Sequence, residues 1–222
     1  MLFATYSTLM SLAYFTKPYQ TNRCIRNLTI VSGKCSKVRL TGLAAASTAG
    51  EKLPMSVIGK SQKPRCFNGV RNLSCRYQAQ NKSWMDSRLF EEWVREQDRK
   101  FEREGRKVAL VVDNYPAHPD VANLKAINLV FLPSNTTYKT QPMDRGVIRA
   151  TKAYYCASMV CKYIDAVEKD KAAPNISVLD AMTILTGAWN KVTPETIQNC
   201  FKKAGICSKA QTNAIHDLNN PF

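Results

Sequence analysis

Two short, almost uninterrupted apolar segments, separated by a polar break, most constrain what this chain can fold into. They are KVALVVD (107–113) and NLVFLP (128–133). Strands that are apolar on both faces are typical of a parallel sheet with helices packed on its two sides. Between them lie the polar break NYPAHPD (114–120) and VANLKAI (121–127), which we predict to be a short helix. Because parallel neighbours need such a crossover, the pattern predicts an α/β fold.

The remaining elements are predicted from periodicity and from their end signals. Segments 38–48 and 53–59 read as a strand pair joined by a turn at Gly50, which indicates a hairpin. Apolar residues at helical spacing, with capping residues at the ends, predict the later helices. On the long helix we assign Tyr154, Tyr155, Met159 and Tyr163 to the core face. The predicted helices are 83–105, 147–170, 177–192 and 194–205, and the predicted loops are 17–37, 60–72 and 134–146.

The charge balance is strongly basic. The chain has 222 residues with 32 Lys and Arg against 17 Asp and Glu, a formal charge of +15. Such an excess attracts polyanions, of which DNA and RNA are the commonest. The basic segments Arg23–Arg39, Lys60–Arg76 and Arg99–Lys107, with Tyr77 and Trp84 nearby, are candidates for a phosphate-facing groove. The alternative is a solvated basic surface without an organised groove.

The cysteines and the apolar runs exclude two other classes. The eight cysteines include no C-x-x-C pair and the chain has only two histidines, which argues against a structural zinc site. No run reaches the roughly 18 apolar residues that a membrane span requires, so we predict no membrane partner.

Two aspartates stand where the two apolar strands end. Asp113 closes the first strand, and Asp144 follows the second in QPMDRG (141–146), just before the long helix. The carboxyl ends of parallel strands lie together, and ligand sites of open α/β sheets form there. Converging carboxylates suit a hard divalent cation. Taken singly, the two residues also fit a turn-forming aspartate and a helix cap.

Four long segments carry a family resemblance. They are 37–67 (KVRLTGLAAASTAGEKLPMSVIGKSQKPRCF), 84–94 (WMDSRLFEEWV), 110–119 (LVVDNYPAHP) and 130–155 (VFLPSNTTYKTQPMDRGVIRATKAYY). Together they resemble the DDE endonuclease domain of pogo and Tigger-type transposases, shared by Tigger-derived, jerky and centromere-protein-B-like proteins. The resemblance implies an RNase H-like mixed sheet flanked by helices, Mg²⁺ (or Mn²⁺) as cofactor and DNA as substrate. It also implies that Asp113 and Asp144 are the second and third of three metal-binding, catalytic acids.

The first acid of the family has no clear counterpart here. No Asp or Glu precedes Glu51. A weak echo of the family in SLAYFTKPYQT (11–21) would align Thr8 with the missing acid, and a neutral hydroxyl is a poor substitute for a carboxylate. The alternative is that residues 1–30 are unrelated sequence joined to the domain. Either way we expect an N-terminal strand region that is degenerate or truncated, and a chain that does not cleave DNA strands effectively.

Several other residues are candidates to contact the substrate. His118 is suited to orienting substrate or water near Asp113, although such a histidine more often forms a hydrogen bond within its own turn. Arg145 replaces the glutamine of the family motif and adds a cation beside Asp144, which lowers the pKa of that acid and competes with Mg²⁺. The further candidates are Asn114, Lys60, Lys63 and Arg65.

We therefore divide the chain into a divergent segment (1–33), a DDE-type RNase H-like domain (34–205) and a poorly ordered tail (206–222). The favoured function is a transposase-derived, nucleic-acid-binding domain of the nucleus that retains two of three metal-binding acids and is defective in strand cleavage. One alternative is an active Mg²⁺-dependent endonuclease or transposase. The other is a domesticated scaffold that binds protein partners.

Overall fold

A single mixed sheet of six strands organises the chain in the computed structural model. The structure describes residues 3–13 (as backbone), 39–113, 115–132 and 141–206. The strands lie side by side in the order β4-β3-β2-β1-β5-β6. Their bounds are β1 (Phe3–Ala13), β2 (Arg39–Ser47), β3 (Ser56–Gly59), β4 (Arg76–Ala79), β5 (Val108–Val112) and β6 (Ile127–Phe131).

Five of the six strands point the same way. β1, β5 and β6 are mutually parallel, as the apolar pattern of β5 and β6 predicts. β2 runs antiparallel to both β1 and β3, and β4 is parallel to β3. The carboxyl ends of β1, β3, β4, β5 and β6 therefore lie at one end of the sheet, which we call the acid end because Asp113 follows β5 there. The predicted hairpin is confirmed as the pair β2–β3.

The four predicted long helices are confirmed within a few residues. In α1, the carboxylate of the N-cap Asp86 accepts a hydrogen bond from the Leu89 amide at 2.9 Å. Ser177 and Asp180 form a reciprocal capping box at the start of α3, and Pro194 occupies the first turn of α4. The bounds are α1 (Ser87–Arg103), α2 (Ile148–Glu168), α3 (Val178–Lys191) and α4 (Pro194–Lys203), with a 3₁₀ turn at Arg65–Phe67 and a π turn at Met143–Val147.

Helices cover both faces of the sheet, which confirms the predicted mixed sheet flanked by helices. Leu110 and Val112 of β5 pack with the buried residues of α1 on one face. Val111, between them, packs on the other face with residues of the π turn and of α2, α3 and α4. Alternation along one strand thus explains why β5 is apolar throughout.

Three predictions of local structure are wrong. The segment 121–126 is not helical and leads directly into β6, because the Asp98 carboxylate accepts the backbone amides of Lys125, Ala126 and Ile127 at 2.8–3.1 Å. The predicted loop 134–146 contains the start of the π turn. Tyr154 is 39% exposed, whereas Tyr155 and Met159 are buried, since only the latter two share the inner face of α2.

Several predicted features lie outside the described residues. They are the loop 17–37, most of the loop 134–146 and the tail 207–222. Phe3–Ala13, to which the sequence analysis assigned no element, forms the strand between β2 and β5. The domain boundaries proposed above stay predictions.

Candidate metal site

Asp113 lies at the acid end because β5 is anchored in the core up to its last residue. Val112, which precedes it, is completely buried. Asp113 itself is half-buried, with 22% of its side chain exposed. The two strands next to β5, namely β1 and β6, run parallel to it. A carboxylate therefore sits at the mouth of three parallel strands, where it is reachable from solvent.

His118 packs beneath this carboxylate. Its Nδ1 lies 2.6 Å from Oδ1 of Asp113 and 3.4 Å from the backbone oxygen of the same residue. The imidazole is stacked on Phe90 of α1 with ring centroids 4.4 Å apart, and it meets Tyr115 edge-on at 5.7 Å. Its side chain has no exposed surface. Packing rather than solvent thus fixes the ring, and the ring fixes the position of Asp113.

The contact between His118 and Asp113 is close but imperfect as a hydrogen bond. Among the described residues, Oδ1 of Asp113 has no partner of good hydrogen-bond geometry, and neither has Nε2 of His118. The 2.6 Å separation nevertheless places a ring nitrogen directly against the carboxylate. A cation at Asp113 would draw on an oxygen that the fold leaves incompletely satisfied.

Asp144 reaches the same end of the sheet through the π turn. Met143 and Val147 on either side of it are fully buried and anchor the turn in the core. Gly146 allows the turn to lie against α4, since a Cβ at this position would stand 2.9 Å from Sγ of Cys200. The turn then continues into α2, so Asp144 is held between the core and the first turn of the long helix.

The charge of Asp113 affects the pKa of Asp144. Desolvation is the main cause that raises the pKa of Asp144, and the charge of Asp113 raises it further, while Lys152 acts in the opposite direction. Although Asp144 is exposed as a residue, neighbouring atoms therefore shield its carboxyl group from part of the solvent. Two carboxylates that influence each other in this way, with only Lys152 acting against the repulsion, are compatible with a cation site.

The donor set fits one hard divalent cation better than two. Asp113 and Asp144 would hold the ion, and water would complete its shell. Within the described residues, no group of three or more His, Cys, Asp or Glu side chains is arranged to hold a metal ion. Asn114 and the side chain of Arg145 lie outside the described part of the chain. The metal-binding roles of Asp113 and Asp144 remain predictions.

The basic candidates divide between the two ends of the sheet. Lys60, Lys63 and Arg65 are exposed in the loop that leaves the carboxyl end of β3, so they lie at the acid end. β3 is three strands away from β5, which corresponds to roughly 14 Å across the sheet. In contrast, Arg99–Lys107 closes α1 and enters the amino end of β5, so this segment lies at the opposite end. Most of Arg23–Arg39 is outside the described residues.

Two residues that shape the site were missed in the sequence. Lys152 moderates the pKa of Asp144, and the sequence spacing of the two residues did not indicate that interaction. Phe90 supports His118 from α1, and nothing in the local sequence indicated that contact.

The chain is similar in sequence to one family profile and to several known proteins. A family profile described as DDE superfamily endonuclease matches residues 37–201. Tigger transposable element-derived protein 4 of Mus musculus is 40% identical over 182 residues, covering 82% of this chain and 35% of that protein. Major centromere autoantigen B of Mus musculus is 32% identical over 171 residues, covering 76% and 28%. This chain thus spans roughly a third of the length of these curated relatives.

The chain also aligns with a solved transposase structure at low sequence identity. The Mos1 transposase paired-end complex with left transposon end aligns with a TM-score of 0.40 and 12% identity, over 92% of this chain and 56% of that chain. In the part of the chain that the structure describes, no helix combines the length and apolarity needed to cross a bilayer.

Proposed function

The chain belongs to the DDE superfamily endonuclease family, in its pogo and Tigger branch, and from this premise we propose that it is a DNA-binding domain defective in strand cleavage. In this proposal the fold is RNase H-like, Asp113 and Asp144 are the second and third acids of the family, and the first acid is missing. Because its ligand is DNA, the protein acts in the nucleus.

The observation that carries the proposal is the composition of β1. This strand pairs with β5 in the register Ser7 to Val112, and Thr8 and Asp113 are the residues that directly follow this pair in the two segments. The whole strand reads FATYSTLMSLA and contains no carboxylate. Thr8 is also the residue that the weak family alignment puts in place of the first acid. A two-metal mechanism requires carboxylates that hold both ions, and two acids alone do not provide them.

A single cation remains compatible with the site. The pKa of Asp144 is raised first by desolvation and then by the charge of Asp113. Mg²⁺ or Mn²⁺ held by the two carboxylates would favour the ionised form of Asp144 against both effects. When bound, such an ion would polarise a phosphate oxygen of the substrate. Asp113 and His118 would position the ion, and Lys152 would limit the negative charge that accumulates around it.

Exposed cations at the acid end support the DNA-binding part of the proposal. The overall charge is +15, and Lys60, Lys63 and Arg65 are exposed on the same end of the sheet as Asp113. Cations that neutralise phosphates release counterions from the duplex, which makes the affinity salt-dependent. The same loop is held by Tyr77, whose hydroxyl donates a hydrogen bond to the Ser61 carbonyl at 2.7 Å.

The binding test compares the two basic regions. A triple variant Lys60→Ala, Lys63→Ala and Arg65→Ala should reduce the magnitude of the log–log salt slope for a DNA duplex by about 2 to 3. The matched control, Arg99→Ala with Arg103→Ala and Lys107→Ala, removes the same charge from the opposite end and should leave the slope nearly unchanged. No binding at low salt would reject a nucleic-acid ligand and favour the protein-scaffold alternative.

The cleavage test asks whether the site is short of one acid. Supercoiled plasmid incubated with the protein and Mg²⁺ or Mn²⁺ should remain intact. Thr8→Asp should strengthen Mn²⁺ binding at least tenfold by restoring a carboxylate beside Asp113, whereas Ser11→Asp, three residues later in β1, should not. Nicking by the unmodified protein that Asp113→Ala abolishes would establish the active-endonuclease alternative instead.

A further inference from the structure

The long helix α2 has a second apolar face that is exposed. Its inner face carries Tyr155 and Met159, which are buried in the core. On the outside, apolar residues recur at alternating steps of four and three, the a/d spacing of a coiled coil. Three of them, Val160, Ile164 and Val167, are 41%, 49% and 61% exposed. We call this set the outer stripe; it consists of Ala153, Ala157, Val160, Ile164 and Val167, all exposed.

We propose that the outer stripe is the contact surface of a homodimer, in which two copies of α2 pack antiparallel around a two-fold axis. A helix with apolar residues on two faces is typically covered on both. Four of the nine exposed large apolar side chains among the described residues lie on α2, counting Tyr154 beside the stripe. Concentration of such residues on one element marks an interaction surface.

The sizes of the side chains select a second, antiparallel copy of this chain. The amino-terminal half of the stripe has the small residues Ala153 and Ala157, and the carboxyl-terminal half has the larger Val160 and Ile164. An antiparallel pair sets Ala153 opposite Ile164 and Ala157 opposite Val160, so that large residues fill the space left by small ones. A parallel pair would set alanine against alanine and leave the packing uneven.

The charges along α2 favour the same arrangement. The amino-terminal half of the helix carries Arg149 and Lys152, and the carboxyl-terminal half carries Asp165 and Glu168 against one base, Lys162. All five residues are exposed. Antiparallel packing brings the basic half of one helix to the half of the other that has a net negative charge, whereas parallel packing places the two basic halves together. Complementary ends of this kind specify orientation more than they add affinity.

The length of the stripe sets the expected strength. The helix has 21 residues, which corresponds to about 31 Å. A contact confined to one helix per copy falls below the roughly 1,200 Å² of total buried area typical of stable complexes. We therefore expect a reversible dimer with a Kd of about 10 to 100 µM, which is typical of transient contacts.

The first experiment measures the association of the full chain. Sedimentation velocity from about 1 to about 200 µM should show the conversion of monomer to dimer across that range. Val160→Glu should raise the concentration at which half of the chains are dimeric at least tenfold. Val70→Glu places the same charge on another exposed valine (36% exposed) and should leave it unchanged. A monomer at every concentration, or a dimer that tolerates Val160→Glu, would overturn the proposal.

The second experiment determines the orientation. In a background with Cys156→Ser and Cys161→Ser, which removes the exposed cysteines of α2, Ala153→Cys and Ile164→Cys are introduced singly and together. The double variant should form an oxidised covalent dimer, because antiparallel packing places residue 153 opposite residue 164. Neither single variant should do so. Efficient crosslinking of the Ala153→Cys variant alone would indicate parallel helices and contradict the proposed dimer.

Discussion

Asp98 in α1 and Asp144 in the π turn are both aspartates that pack next to the sheet, yet their surroundings are opposite. Asp98 is 6% exposed. Burial opposes its ionisation, but hydrogen bonds from the backbone amides of Lys125, Ala126 and Ile127 outweigh that cost and lower its pKa. Asp144 is exposed, and its pKa is raised by desolvation and by Asp113.

The contrast separates a carboxylate that the fold itself stabilises from one that we propose binds a cation. At Asp98 the protein itself supplies every donor, so the charge is stabilised without help from outside. At Asp144 desolvation and the charge of Asp113 both disfavour ionisation, and Lys152 offsets them only in part. The direction of the pKa shift, rather than the depth of burial, therefore distinguishes the two roles.

The largest expected effect is the loss of stability on Asp98→Ala. The substitution leaves three backbone amides without an acceptor, two of them buried. We expect the free energy of unfolding to fall by roughly 3 kcal/mol or more, because each unsatisfied buried amide costs about 1–3 kcal/mol. Asp144→Ala should change it by less than about 0.5 kcal/mol, as at other exposed positions. Urea denaturation followed by tryptophan fluorescence measures both, and equal losses would erase the distinction.

The next effect concerns His118, which contacts Asp113 in the proposed cation site. His118→Phe should keep the stack on Phe90 while removing the nitrogen that lies 2.6 Å from Asp113. We expect Mn²⁺ affinity to weaken about 10- to 100-fold, the usual consequence of losing a residue that orients a metal ligand. Calorimetric titration with Mn²⁺ gives the affinity. A matched control, Phe90→Leu, tests whether disturbing the support alone has the same effect; unchanged affinity in His118→Phe would exclude a positioning role.

The different surroundings of Asp98 and Asp144 could be predicted only in part from the sequence. The apolar runs of β5 and β6 predicted their parallel pairing, and Asp86 and Pro194 marked helix starts, because these signals are local. The VANLKAI segment was predicted as a helix, since its residues have helical propensity. Asp98, 27 to 29 residues away along the chain, overrides that propensity by binding the amides in extended form.

The candidate site was predicted from the family motifs around Asp113 and Asp144, not from their periodicity. The structure adds that both lie at the acid end and that their charges interact. The sequence shows that no acid precedes Glu51. It did not predict that this acid-free segment contains β1, the strand next to β5. β1 has no flanking turn signal or strict alternation, and its place between β2 and β5 depends on pairing across the whole sheet.

A smaller effect is expected at Gly146, which lets the turn carrying Asp144 pack on α4. Gly146→Ala would bring a Cβ within 2.9 Å of Sγ of Cys200, and both groups lie where little space is available. We expect a loss of about 1 kcal/mol in the free energy of unfolding. Adding Cys200→Ala removes the clash, so the double variant should be more stable than the sum of the single changes predicts. Additive losses in this double-mutant cycle would show that the contact is not the cause.

The smallest and most discriminating effect is the pH dependence of the two aspartates in metal-free buffer. The pKa of Asp98 is lowered from its ordinary value of 3.8, so its ionisation stabilises the fold above that value, and this contribution is lost as the pH falls through the lowered pKa. The penalty of Asp98→Asn should therefore shrink below about pH 4.

Asp144 should show the opposite sign. Its pKa is raised above 3.8, so the folded state retains the proton longer, and stability declines as the pH rises from 3.8 through the raised pKa. Relative to the unmodified protein, Asp144→Asn should gain stability across this window and then level off. Unfolding free energies measured from about pH 3 to about pH 7 give both difference curves. Curves that bend in the same direction would mean that Asp144, like Asp98, is satisfied by the fold and is not held in reserve for a cation.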